Sequence, residues 1–321
     1  MSDKSASVTP QTVPDAGVRV VPPSSMLHRH WLGGEIHVAE SGADSRYGFA
    51  CTFASMRAGG GPSWHVHTRE EEFFYVRRGQ WEFEAFGRDR VRVGPGQLIT
   101  LPVGVPHRFE VLSTDAEDST GACVLWTCPG GNAQFFIELS NPLDEPEDKT
   151  MPPDLAAMTK VGHRFGIWML QPDDDPADFV SPLGVDRHAV VRGHDEPTFD
   201  WNGIRLRWLV DAGDTNGRCE IAVMNIPADT AFPRLQHGRY EVGAVVLNGE
   251  VIVEDEADRH VATTESMIHV PFGSRYRFAT REQPAELLWL STPCGLRSFF
   301  ETDNARGYGV VVDKPGGGCD G

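Results

Sequence analysis

Short β-rich runs, broken by Gly, Pro and Asp about every ten residues, dominate the chain. They are YGFACTFASM (47–56), FFYVRRGQWEFEAF (73–86), QLITLP (97–102), HRFEVL (107–112) and CVLWTC (123–128). A second series follows: NGIRLRWLV (202–210), CEIAVMNIP (219–227), EVGAVVLNGEVIVED (241–255), SMIHVP (266–271) and AELLWLSTP (285–293). Evenly spaced short strands predict a sandwich or barrel. Residues 1–25 are rich in Ser, Pro and Thr and read as a flexible tail. The stretch 141–162, NPLDEPEDKTMPPDLAAMTKVG, reads as a linker with a short helix at DLAAMTK.

The two series repeat one another. Gly79 in FFYVRRGQ answers to Gly249 in VVLNGE, 170 residues on; Pro102 and Gly104 in LPVGVPHRF answer to Pro271 and Gly273 in VPFGSRYRF, 169 on. Phe135 and Phe136 answer to Phe299 and Phe300, 164 on. A duplicated all-β barrel follows. The expected organisation is a tail (1–25), an N-terminal barrel (26–145), a linker (146–165), a C-terminal barrel (166–312) and a short tail (313–321).

Composition narrows the function. The 321 residues are 40% apolar, enough for two cores. With 46 acidic against 29 basic residues and a net charge of −17, binding to nucleic acid or an anionic membrane is disfavoured, and a small molecule is the expected partner. No apolar run is long enough to span a bilayer and no apolar signal core is present, so a soluble cytoplasmic protein is expected. The six cysteines include no Cys-x-x-Cys and read as incidental thiols.

Two stretches carry the histidine chemistry. HRHWLGGEIHVAESG, from His28, and HVHTREEEFFYVRRG, from His65, both place two histidines one residue apart, then a glutamate after four residues and a glycine after six more. The repeat decides between them. Gly42, which closes the first stretch, lies 207 residues before Gly249, against the 169 set by the prolines, and Pro22 stands where the second stretch has Gly59. His28, His30 and Glu35 are therefore read as a segment packing across the barrel mouth. In the second stretch, His65 and His67 leave the same face of a strand and can share one ion. Glu72, rather than Glu70 or Glu71, keeps the six-residue spacing to Gly79, and the turn Gly96…Pro102-x-Gly104 aims His107 back into the barrel.

These residues resemble the cupin superfamily, whose motifs G(x)5HxH(x)3-4E(x)6G and G(x)5PxGxxH match Gly59, His65, His67, Glu72 and Gly79, then Gly96, Pro102, Gly104 and His107. Val111 replaces the closing Asn of the second motif. The resemblance implies two tandem double-stranded β-helix barrels, with metal held by His65, His67, Glu72 and His107. In the second half the same positions are Leu235, His237, Val242 and Tyr276, which cannot hold a metal, and Glu241 is out of phase. That barrel is expected to pack, cap or support a homo-oligomer.

Three imidazoles and a carboxylate suit one divalent transition metal, with iron favoured and nickel, manganese, cobalt, copper or zinc compatible. Such a site leaves open positions for a substrate oxygen and dioxygen, with Glu72 able to take a proton. Strand parity turns Phe74, Val76, Phe109 and Val111 inward as the expected substrate-binding wall. Trp64, Tyr75, Trp126, Phe135 and Phe136 are further candidates that parity does not place. Among cupins, the first half resembles the quercetin 2,3-dioxygenase branch. That implies a dioxygenase acting on a flavonol or another enolisable aromatic or polyketide-like compound, with the Glu72 counterpart as base and dioxygen as co-substrate. A metal-dependent cyclase or isomerase of polyketide- or sugar-like substrates, and a non-catalytic small-molecule-binding cupin, are the competing readings.

Overall fold

The computed structural model describes residues 17–43, 45–112, 120–143 and 155–301, together with the backbone of 310–311. The expected C-terminal tail, with Cys319, and the start of the linker lie outside the described residues.

The duplication is present in the strands. One barrel joins an eight-stranded sheet, in which Gly34–Glu40, Ala50–Arg57, Thr120–Cys128, Glu71–Arg78 and Leu98–Leu101 are neighbours, to a five-stranded sheet containing His65–His67, His107–Val111 and Trp81–Ala85. The other joins a seven-stranded sheet, with Met267–Val270, Glu241–Asn248, Ala285–Thr292, Glu220–Ile226 and Ile204–Val210, to a five-stranded one, with Glu250–Glu254, Arg275–Ala279 and Leu235–Gln236. Register carries the symmetry to single residues. His107 pairs with His65 in the first barrel, and Tyr276 pairs with Leu235 in the second.

Alternation along each strand sorts side chains into three cores. From Glu71–Arg78, Phe74 and Val76 enter the interior of the first barrel, with Trp81, Phe83, Phe109 and Leu125. Phe73 and Tyr75, on the opposite face, join Phe49, Trp126, Val223, Val245 and Leu288 in a core between the two barrels. Tyr75 and Trp126, sequence candidates for the pocket, thus belong to the contact between barrels. The interior of the second barrel holds Met224, Tyr276, Phe278 and Trp289.

The barrels also exchange strands, which differs from the expected boundaries. Arg19–Val21, expected in a flexible tail, pairs with Met267–Val270 of the second barrel. Ile167–Met169 and Val190–Arg192, expected with the second barrel, pair with His65–His67 and Leu98–Leu101 of the first. The helix read at DLAAMTK runs Leu155–Phe165 and packs on a further helix, Asn132–Leu139, that the strand pattern did not predict. Glu71 explains part of this arrangement. It is fully buried on the outer face, where Arg187 Nη1 donates to Oε1 at 2.8 Å and the Val103 amide donates to Oε2 at 2.9 Å. A buried carboxylate needs such partners. Glu241 is its counterpart, buried against His269 Nε2 at 2.8 Å, so neither glutamate faces a barrel interior.

Candidate metal centre

His65, His67, Glu72 and His107 are brought together inside the first barrel, all buried, with one donor atom from each lying within 4.8 Å of the others. The strand His65–His67 presents its two imidazoles on one face, Glu72 comes from the adjoining sheet, and His107 opens the strand His107–Val111. Gly104 shapes the turn before His107. Its φ of +79° is the left-handed conformation that glycine adopts without strain, and its amide donates to the His67 carbonyl at 2.7 Å.

The outward ring nitrogens fix the tautomers. His65 Nδ1 donates to the Ser63 carbonyl at 2.9 Å, His107 Nδ1 to the Val105 carbonyl at 2.9 Å, and His67 Nδ1 to Glu70 Oε2 at 3.2 Å. Each Nε2 lone pair therefore points inward. His107 Nε2 lies 3.1 Å and His67 Nε2 3.8 Å from Glu72 Oε2. Three nitrogen lone pairs and a carboxylate oxygen at these separations repel one another unless a cation stands among them. A proton can serve one pair; a divalent metal serves all four. The residues fit a transition metal, and nitrogen with carboxylate donors suits the first-row divalent ions.

The titration of the metal-free cluster agrees. Burial, with His107 and His67 nearby, pushes the His65 imidazole well below its ordinary value. Burial would also lower His67, but Glu72 and Glu70 outweigh it and raise that ring. Burial alone would raise the Glu72 carboxyl, yet His67, His107 and His65 hold it down at about 2. Glu70 is raised by burial, partly offset by His67. The rival glutamates thus have separate work: Glu72 faces the cluster, Glu70 orients His67, and Glu71 ties the barrels.

A cavity of about 40 Å³, measured as the space open to the centre of a water molecule, adjoins the cluster. His65, His67 and Glu72 form its floor, and Phe74 and Phe109 line it as parity predicts. Val76 and Val111 do point inward, but they lie in the packed core below, where Val111 pairs with Trp81, and do not reach the cavity. Parity fixes a side chain's face and not its depth. Phe135 and Phe136 line the cavity, whereas Trp64 lies outside it beneath the Arg108 guanidinium. The strand pattern missed Trp31, Asn132, Met158, Ile167 and Met169, which complete the wall. His28 is remote from the cluster: its Nε2 lies 3.0 Å from the Pro23 carbonyl and its ring 4.2 Å from that of His37.

In the second barrel larger side chains stand at the corresponding places. Trp289 and Met224 occupy the places of Leu125 and Ala54, and His237 Nε2 meets the Tyr276 hydroxyl at 2.6 Å.

Residues 52–117 match the cupin domain family. The fold is that of a bicupin, and the structural neighbours have the same two-barrel plan. Oxalate decarboxylase of Bacillus subtilis, in a structure concerned with its Mn(II) centres, aligns with a TM-score of 0.59 and 15% identity over 85% of this chain and 76% of that one. A structure of the enzyme addressing its substrate binding mode gives 0.59 and 16% over the same shares. One at pH 4.6 gives 0.56 and 15%, over 85% and 75%. At such identities the likeness concerns the fold. No curated protein matches in sequence. Among the described residues of this bicupin, no helix is long and apolar enough to cross a membrane.

Proposed function

We propose that this bicupin is a metal-dependent dioxygenase acting on a compact, enolisable and largely apolar small molecule. The observation that carries the reading is the composition of the cavity. A four-donor cluster with one carboxylate opens onto a wall of Phe, Leu, Ile, Met and Trp, with Asn132 as the wall's neutral polar residue and no Lys or Arg among the described residues lining it.

Charge selects among substrates. A dianion such as oxalate, the substrate of the structural neighbours, would enter an apolar pocket beside Glu72 with no cationic side chain to receive its second carboxylate. A neutral phenol or enolisable ketone enters without that penalty. Size selects as well. With a water radius added around it, the cavity suits one six-membered ring or a chain of similar length, whereas a flavonol has three rings and would require Met158 and Ile167 to move away.

A divalent metal held by His65, His67, Glu72 and His107 would supply Lewis acidity, which makes a substrate hydroxyl acidic, and a redox partner for dioxygen. The chain does the rest. Glu72, a carboxylate that its three histidine neighbours keep ionised in the metal-free cluster, can accept a proton from a hydroxyl acidified beside it. Asn132 Nδ2 donates to Glu72 Oε1 at 3.2 Å and keeps that oxygen turned to the cavity side of the cluster. Phe74, Phe109, Phe135 and Phe136 confine the ring and exclude water.

Oxygen uptake by metal-loaded protein, tested against one-ring phenols, hydroxy-enols and β-diketones, is the direct experiment. Uptake stoichiometric with substrate loss supports the reading. Substrate loss without uptake would replace it with a cyclase or isomerase.

A further inference from the structure

Asn132 is the first residue of the helix Asn132–Leu139, 2% exposed, and it lines the cavity beside Glu72. Its amide orientation follows from chemistry. A carboxylate can only accept, so the group facing Glu72 Oε1 at 3.2 Å must be the NH2, and the carbonyl oxygen is turned the other way. That oxygen, Oδ1, is buried and has no hydrogen-bond partner among the described residues.

A buried, unpaired acceptor is unfavourable, and folds seldom keep one without a use. The second barrel supplies an internal comparison. The residue at the same place, 164 positions on and likewise first in its helix, is Leu296, fully buried in the apolar core of that barrel. An apolar side chain is therefore accommodated at this point of the fold. At the second helix the buried Glu220 is met by the backbone amides of Gly295 and Arg297, whereas in the first barrel the side chain of Asn132 itself reaches the carboxylate and lines the cavity.

We propose that Asn132 is a specificity-determining residue whose side-chain carbonyl accepts a hydrogen bond from the ligand, so that the ligand carries two adjacent donors. One faces Glu72 Oε1 and the other faces Asn132 Oδ1. Because Asn132 Nδ2 is hydrogen-bonded to Glu72 Oε1 and shares its carbon with Oδ1, the two acceptors stand side by side, and a ligand that meets both carries its two donors close together. This is the pattern of an ortho-dihydroxy arene or of the enediol form of an α-hydroxy ketone. Without ligand, a water can satisfy Oδ1. A ligand lacking the second donor displaces that water without replacing its hydrogen bond, and binds more weakly.

The inference rests on the reading of this cavity as a substrate site beside a metal, and is independent of whether dioxygen is consumed. Its test uses the full chain loaded with redox-inert Zn²⁺ under anaerobic conditions, with catechol and 2-methoxyphenol as probes and calorimetry as readout. Wild type is expected to prefer catechol by at least about tenfold. Asn132→Leu, which copies Leu296, should abolish the preference while metal content is unchanged. Asn132→Ser, too short to present an acceptor at the same point, should behave alike and serves if the leucine variant does not fold. A wild type that binds neither probe or shows no preference overturns the proposal, as does a preference that survives in a folded, metal-loaded variant. If the preference behaves as expected and no phenol or enediol supports oxygen uptake, only the dioxygenase reading falls.

Discussion

The Nε2 of His107 stands 3.1 Å from Oε2 of Glu72, with the far side of the His107 ring already donating to the Val105 carbonyl. Without metal this contact needs a proton, and the stability of the metal-free chain is therefore linked to pH. Glu72 is lowered from 4.5 to about 2, so its contribution is complete above 4.5 and is lost as pH falls toward 2. His65 is also lowered, so its contribution is complete above 6.5 and declines below it. His67 is raised and works oppositely, contributing below 6.5 and losing that contribution as pH rises through its folded value. Urea midpoints of chelator-treated protein should fall as pH drops from 4.5 toward 2, where Glu72 takes up its proton, and His65→Ala should flatten the curve just below pH 6.5.

Metal content should be near one per chain. His67→Ala or His107→Ala removes one of four converging donors and should weaken binding by about a hundredfold or more, whereas His28→Ala should leave it unchanged. Elemental analysis after reloading measures this. A reproducible two metals per chain would contradict the assignment of a single centre, and loss on His28→Ala would contradict the choice of histidines.

Glu72→Gln keeps the shape, and Asn132 can reorient to donate to or accept from it. If Glu72 accepts a proton from the substrate, turnover should fall by about 10² to 10⁴, and metal occupancy should fall much less. Equal losses would mean that Glu72 only holds the ion.

Ala54 lines the cavity, and Met224 stands at its place in the second barrel. Ala54→Met should close the space above the metal. Substrate affinity is expected to drop about tenfold or more with metal content unchanged, at a stability change within about 1–3 kcal/mol. Isothermal titration with substrate, beside elemental analysis, separates the two effects.

The four metal-facing residues are legible in the sequence because their geometry is local. The two-residue period of a strand puts His65 and His67 on one face, and the internal repeat eliminates His28. The same period turns Phe74, Val76, Phe109 and Val111 inward, but depth depends on how far Trp81 and Phe83 fill the barrel below the cavity, which periodicity does not encode. Asn132, Met158 and Ile167 reach the cavity from helices and a strand that lie outside the barrel's sequence pattern and arrive only by packing. One signal for Asn132 was present: the 164-residue offset that aligns Phe135 with Phe299 also aligns Asn132 with Leu296. The likeness to flavonol dioxygenases said nothing of cavity volume, which depends on how closely Met158 and Ile167 approach the ring of Phe74.

The strand exchange has a consequence for cooperativity. Arg19–Val21 is held by the second barrel, while Ile167–Met169, which borders the strand carrying His65 and His67, reaches the first barrel from beyond the helix Leu155–Phe165. Neither half can open without releasing a strand lodged in the other, so the two barrels form one interlocked unit that should unfold in a single step. A chain ending at residue 165 would keep every metal-facing side chain and still lose the strand that holds two of them in place. The barrel that has no four-donor cluster among its described residues is thus inseparable from the one that has it.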